Sequence, residues 1–163
     1  MLRRLRPLAH WHGHRLLRRH FGAAVMARLH QTIHAAESRH RGEIVVAVEA
    51  AAPPHIRHSR ARALEVFGRL RVWDTAQATG VLLYILLSDH RIEIVADRGV
   101  TARVGDAVWL RICAELQARF QAGQYEQGVA DALAAIDAEL LRTWPVAEGE
   151  TNPNELPDQP VTL

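Results

Sequence analysis

Asp97, Arg98 and Gly99 stand where a short alternating run, Ile92-Glu93-Ile94-Val95-Ala96, comes to an end. Gly105 and Asp106 follow, just before a helical pattern begins. An acid and a base at the end of a strand are the parts of a phosphoester or cation site. A carboxylate can hold a metal that polarises a phosphoryl group and activates water. A guanidinium can grip the phosphate through two parallel hydrogen bonds. Asp97 and Arg98 are therefore the candidate catalytic pair. Asp74, which follows Trp73 ahead of the next apolar run, and Asp106 are the candidate helpers. With Asp97 they would offer carboxylates to Ca²⁺ or Mg²⁺, hard cations that need six or more oxygens. The same residues also have structural uses. Asp106 can satisfy free amides at a helix start, and Asp97 and Arg98 can brace a turn. The sequence leaves both readings open. Cys113 and Arg119 have Cys-x5-Arg spacing, but they stand inside a helical pattern rather than a phosphate-cradling loop, and there is no glycine-rich lysine loop, so the better-known phosphoryl-transfer routes are absent.

A second group sits near the N-terminus. His10, His12 and His14 alternate, and imidazoles two residues apart can chelate Zn²⁺, Ni²⁺ or Cu²⁺ if the segment is extended. No acid precedes Glu37, whereas Arg3, Arg4, Arg6, Arg15, Arg18 and Arg19 all do. Those six arginines are the candidate contacts for an anionic membrane surface or an acidic partner. Trp11 among them suits a membrane interface. From Asp106 onward the balance reverses, with ten acids and three arginines. The C-terminal part is thus acidic, and the chain lacks an aromatic-basic stripe, so nucleic-acid binding is not expected. The single cysteine, Cys113, lies beside Ile112 and near Leu116 and reads as a structural thiol.

These groups need a frame, and 163 residues with 48% apolar content are enough for one domain with a real core. Residues 1–21 lack clean periodicity and read as a basic, partly flexible arm. From Gly22 to His40, Val25 or Met26, Leu29, Ile33 and Ala36 recur at helical spacing. EIVVAVEA, residues 43–50, reads as a buried strand. Residues 58–71 read as a helix with Leu64, Phe67 and Leu70 on one face and Ser59 as its cap. GVLLYILL, residues 80–87, is apolar on both faces, which predicts a central strand covered on both sides. SDHR then turns the chain into the alternating run 92–96. Two further helices follow, one from Val104 to Phe120 on Val108, Ile112, Leu116 and Phe120. The other runs from Gln124 to Trp144 on Val129, Leu133, Ile136 and Leu140. Gly123 separates them and Pro145 ends the second. The predicted fold is α/β, a three-layer sandwich. Its small mixed sheet holds a parallel crossover pair and an antiparallel hairpin, with helices on both faces. Residues 22–145 form the domain, and the Pro-rich residues 146–163 read as a flexible tail.

The order of these elements resembles the TPM domain family. The likeness rests on the glycine-led strand TGVLLYILLSDHRIEIVADRGV, the Phe120-x-x-Gly123-x-Tyr125 junction in FQAGQYEQGVADALAAI, and AAESRHRGEIVVAVE leading into the first strand. It covers about residues 24–143. The family includes a thylakoid-lumen protein linked to photosystem II repair, reported acid phosphatases and bacterial envelope proteins. The resemblance implies a cation site of Ca²⁺ or Mg²⁺ type near the end of the sheet. Two places depart from the family pattern: Ala78-Thr79 stands where an Asp-Asn pair is usual, and Asp97-Arg98-Gly99-Val100-Thr101 replaces a Gly-Tyr-Gly-Leu-Glu loop. The favoured expectation is a non-enzymatic binding or scaffold module, cytoplasmic and peripheral at the inner membrane. The resemblance makes a LemA-type membrane protein its expected companion. The alternative is a metal-assisted acid phosphatase acting on phosphomonoesters.

Overall fold

A computed structural model describes residues 6–163, with side chains from Leu8 onward. A mixed four-stranded sheet lies at its centre. β1 (Glu43–Glu49) and β2 (Gly80–Leu86) run parallel, in register from Glu43 opposite Gly80 to Glu49 opposite Leu86. β3 (Arg91–Ala96) returns antiparallel to β2 across the tight Leu87–His90 connection. A fourth strand, β4 (Val161–Thr162), lies parallel to β1 on its other side, and the order across the sheet is β3-β2-β1-β4.

Every residue of β1 and β2 is buried, as unbroken apolar runs covered on two faces require. Alternate side chains serve opposite layers. Val46, Val81, Leu83, Ile85 and Ile94 pack against α1 (Arg6–His20), α2 (Ala23–Glu37), α5 (Asp106–Gln121) and α6 (Tyr125–Thr143). Val45, Ala47, Leu82, Tyr84 and Val95 face α3 (Ser59–Arg69). The short α4 (Arg98–Thr101) fills the gap between β3 and α5. The three-layer α/β sandwich with a mixed sheet is the fold expected from the sequence.

Helix faces follow the apolar spacing for α2, α5 and α6. Leu29, Ile33, Ile112, Leu116, Leu133, Ile136 and Leu140 are all essentially inaccessible, and Met26 rather than Val25 takes the first inward position of α2. The face of α3 differs from the expectation. Ala63 and Val66 point inward with Arg62, while Leu64 is exposed. Rotating α3 this way carries Arg62 onto Glu49 of β1, where Nε and Nη2 donate to the two carboxylate oxygens at 2.9 and 2.6 Å. The Tyr84 hydroxyl donates to the same carboxylate. The three groups satisfy one another in the thin layer under α3, and Leu64 is left on the outer face. Ser59 does not cap α3. His58 is at that position, and the Ser59 hydroxyl donates to Glu93.

Two terminal segments depart from the sequence reading. Residues 6–20 form a continuous helix that packs on the domain through Gly13 and Leu16. A Cβ at Gly13 would lie 1.9 Å from the Ala50 carbonyl oxygen, so only glycine allows the approach. Where α1 meets α2, Phe21 is buried against Phe120, and His20 stacks on Tyr125 at 4.1 Å. The Phe120-x-x-Gly123-x-Tyr125 junction thus forms an aromatic socket for the chain entering α2. Residues 146–163 also lie on the domain. Leu156 and Asp158 are buried, and the segment ends as β4 with Ala50 N–H donating to the Leu163 carbonyl. Proline content signalled a loop without regular structure, but the open edge of β1 gave this one hydrogen-bond partners.

Candidate functional site

The loop that follows β3 is a short helix rather than an open turn. Asp97 is the N-cap of α4, and its Oδ1 accepts from the Arg98 backbone N–H at 2.7 Å. The Arg98 guanidinium is exposed and has no ion-pair or side-chain hydrogen-bond partner among the described residues. Gly99 has an ordinary negative φ. It is required for closeness, because a Cβ there would lie 2.4 Å from Gln77 O and 2.6 Å from Ala78 O. Its N–H donates to Ala78 O at 3.0 Å. The backbone strain falls instead on Ala78, which holds φ 54° just before β2.

Asp74, Asp97 and Asp106 each have a separate employment. Asp74 pairs with Arg71 at 2.6 Å, three residues earlier. Asp97 caps α4. Asp106 occupies the first turn of α5, next to its N-cap Gly105, where a carboxylate suits the positive end of the helix dipole. Among the described residues no group of three His, Cys, Asp or Glu side chains is placed to hold a metal ion. The donor set implied for a hard Ca²⁺ or Mg²⁺ ion therefore does not fit.

Two cavities flank the loop. One of about 580 Å³ is lined by Arg41, Gln77, Gly99, Arg103, Trp144 and Pro145. Its character is cationic. The Arg103 guanidinium lies 4.6 Å over the Trp144 ring and donates to Thr143 O at 3.1 Å, and Arg41 pairs with Glu150. The other, about 360 Å³, lies between β3 and α5 and is lined by Asp106, Trp109, Cys113 and Glu93. Burial pushes the Cys113 thiol up to about 11, so it remains a thiol near neutrality and a poor nucleophile.

Sequence reasoning missed the buried acids, whose only signal was Glu37, Glu43 and Glu49 around an apolar strand. Glu43 is fully buried and accepts from the backbone N–H groups of Glu155 and Leu156 at 3.1 and 3.2 Å, fastening the C-terminal segment. Glu37 accepts from Ile44 N–H at 2.6 Å. Burial pushes its carboxyl up to about 9, against the opposing Ile44 hydrogen bond. Burial also works to raise Asp158, but hydrogen bonds from His34, Glu37 and Asn154 hold it below its ordinary value. One oxygen of each, Glu37 Oε2 and Asp158 Oδ1, is buried without a donor. A proton kept on Glu37 and shared with Asp158 satisfies both. His40 is also buried, and its pKa is lowered chiefly by that burial. Its Nδ1 accepts from Gly42 N–H at 3.1 Å, and Nε2 lies 3.3 Å from Asp137 Oδ1.

The arginine-rich stretch is a fixed helical face. Arg3 and Arg4 lie outside the described residues, as does the side chain of Arg6. Arg15, Arg18 and Arg19 are exposed. Leu8, Trp11, Arg15 and Arg18 fall at i, i+3, i+7 and i+10, one stripe on the side away from Gly13 and Leu16. Leu8 is 65% and Trp11 57% exposed, and the Arg15 guanidinium lies 5.8 Å from the Trp11 ring centre.

A mixed sheet between one helix and a four-helix layer, with a capped loop at the end of β3, defines the class as an α/β-sandwich domain. A family model, the TPM domain, matches residues 20–139, and the chain belongs to that family. The fold is similar to the NMR structure of the BA42 protein from the psychrophilic bacterium Bizionia argentinensis. The identity is 26%, the TM-score 0.77, and the match covers 87% of this chain and 94% of that one. It is also similar to the N-terminal domain of a protein from P. gingivalis, at 20% identity and TM-score 0.60, covering 73% of this chain and 75% of that one. At that identity the second likeness speaks for the fold alone. No curated protein matches the chain. Among the described residues no helix is long and apolar enough to cross a membrane.

Proposed function

We propose that this TPM-domain protein is a non-enzymatic binding module that sits on an anionic membrane surface through α1. The observation that carries the reading is the outward stripe of Leu8, Trp11, Arg15 and Arg18, on a helix without a single acid. A helix with an aromatic and an aliphatic side chain among arginines lies in the plane of a lipid interface, its apolar groups at the acyl boundary and its guanidinium groups among the headgroups. Docking through Gly13 holds the stripe outward and removes the entropy cost of ordering an arm on binding. The separate employment of Asp74, Asp97 and Asp106 supports a binding role over a metal-assisted acid phosphatase with Asp97 and Arg98 as its catalytic pair. A LemA-type membrane protein is the protein partner to try first, and the cytoplasmic leaflet is the surface to try.

The test is co-sedimentation of the full chain with phosphatidylglycerol–phosphatidylcholine vesicles at several salt concentrations. Near an anionic surface each arginine contributes about 1 kcal/mol. Replacing Arg15, Arg18 and Arg19 together with Gln therefore weakens binding by up to roughly 100-fold. Added salt weakens the unaltered protein in the same direction. Equal binding by the triple variant at low salt rejects the membrane reading.

A further inference from the structure

Helical geometry re-sorts the three alternating histidines of α1. His12 turns toward the domain, its ring 5.6 Å from that of His90. His10 and His14, one turn apart, come together on an exposed face. Their ring centres are 4.6 Å apart at 60°, and their Nε2 atoms are 3.1 Å apart.

That separation is the informative quantity. An imidazole nitrogen binds a borderline divalent metal at ~2.0–2.1 Å, so two nitrogens on one ion lie about 2.9 Å apart for bonds at a right angle and about 3.4 Å apart for a tetrahedral angle. The observed 3.1 Å falls between the two. The two nitrogens already stand at the separation that a cis chelate requires. In the metal-free chain one Nε2–H donates to the other Nε2. When an ion takes the space between the rings, the donor ring's proton moves from Nε2 to Nδ1 through solvent, so that both Nε2 lone pairs face the metal. The other helical pair of this spacing is not built alike. The rings of His30 and His34 are 6.4 Å apart, and His34 Nδ1 is held by Asp158 at 2.7 Å.

We propose that His10 and His14 form a two-histidine chelate on the outer surface of α1 that takes a borderline divalent cation. The preferred ion is Cu²⁺, ahead of Ni²⁺ and Zn²⁺, the order that stability on nitrogen ligands dictates. Ca²⁺ and Mg²⁺, which require oxygen donors, are not held there. No carboxylate lies on α1, so the remaining coordination positions belong to water or to an external anion.

Titration of the full chain with CuCl₂ in a non-coordinating buffer at pH 7.5, followed by calorimetry and by electron paramagnetic resonance, tests this. One equivalent binds, with superhyperfine coupling from two nitrogens. His14→Ala weakens binding by at least about tenfold, the scale of loss when a metal site is deprived of a supporting group. His12→Ala and His34→Ala leave it unchanged. Circular dichroism of each variant confirms that helix content is kept. If His12→Ala weakens copper binding as much as His14→Ala, or if the spectrum reports one nitrogen or none, the chelate assignment is overturned.

Discussion

Gly13→Ala decides between a free arm and a docked α1 by the sign of its effect. In a helix detached from the domain, alanine is favoured over glycine by about 1 kcal/mol, so the substitution would leave stability unchanged or raise it. In the structure the added Cβ would lie 1.9 Å from the Ala50 carbonyl oxygen, 2.9 Å from the Ala50 carbonyl carbon and 3.0 Å from Ser88 N. All three are backbone atoms at the ends of β1 and β2, so no side chain can swing aside. Carbon and carbonyl oxygen rest at roughly 3.3 Å, so α1 must retreat by about 1.4 Å. A gap of that size forfeits more than about half of the dispersion energy of the contacts it opens. Overpacking against a rigid neighbour costs about 1–3 kcal/mol. Its ceiling is the release of Leu16, worth about 1.5–3 kcal/mol. A 1.9 Å approach to backbone that cannot swing aside belongs in the upper half of that range, about 2–3 kcal/mol, so setting the helix-propensity gain against it leaves a net loss of about 1–2 kcal/mol. For a domain of this size that lowers the melting temperature by roughly 2–8 °C. Calorimetry measures the shift, and hydrogen exchange over residues 6–20 should report faster opening of α1. A rise in melting temperature would refute the docked helix.

Two further outcomes concern the acids under the C-terminal segment and the strained residue before β2. Glu37 keeps its proton to about pH 9 in the native state, whereas its ordinary value is 4.5. The native state therefore binds the extra proton between those limits. The contribution is complete below the unfolded value and falls as pH rises, by at most about 1.4 kcal/mol per pH unit. Glu37→Gln keeps an acceptor for Ile44 N–H and removes the titration, so stability should decline less steeply between pH 5 and 9. Urea denaturation across that range checks the slope, and parallel curves for the two proteins would contradict the shared proton. At Ala78, φ 54° places a Cβ in the left-handed region, a strain of about 1–2 kcal/mol relative to glycine. Ala78→Gly should raise stability by about 1 kcal/mol once the added freedom of the unfolded chain is subtracted, and a fall in urea midpoint would count against it.

The sequence by itself determined the layers. Unbroken apolar runs in β1 and β2 demand cover on both faces, and the 3.6-residue rows of α2, α5 and α6 name the residues that supply it on one side. Asp106 beside a helix N-cap was legible as well, because the signal is local. What the tertiary structure decided was every feature that depends on a partner distant in the chain. Leu64 looked like a core residue of α3 until Glu49 claimed Arg62 and turned the helix. The proline-bearing tail looked unstructured because its hydrogen-bond partners, the β1 edge and Glu43, lie more than a hundred residues earlier. The basic N-terminal stretch showed no clean periodicity because its buried face is built around Gly13, which hydropathy does not count but close packing requires. Asp74, Asp97 and Asp106 look equally available as letters. Only the fold shows Asp74 paired with Arg71 and Asp97 capping α4, because a carboxylate takes the nearest donor that the chain brings to it.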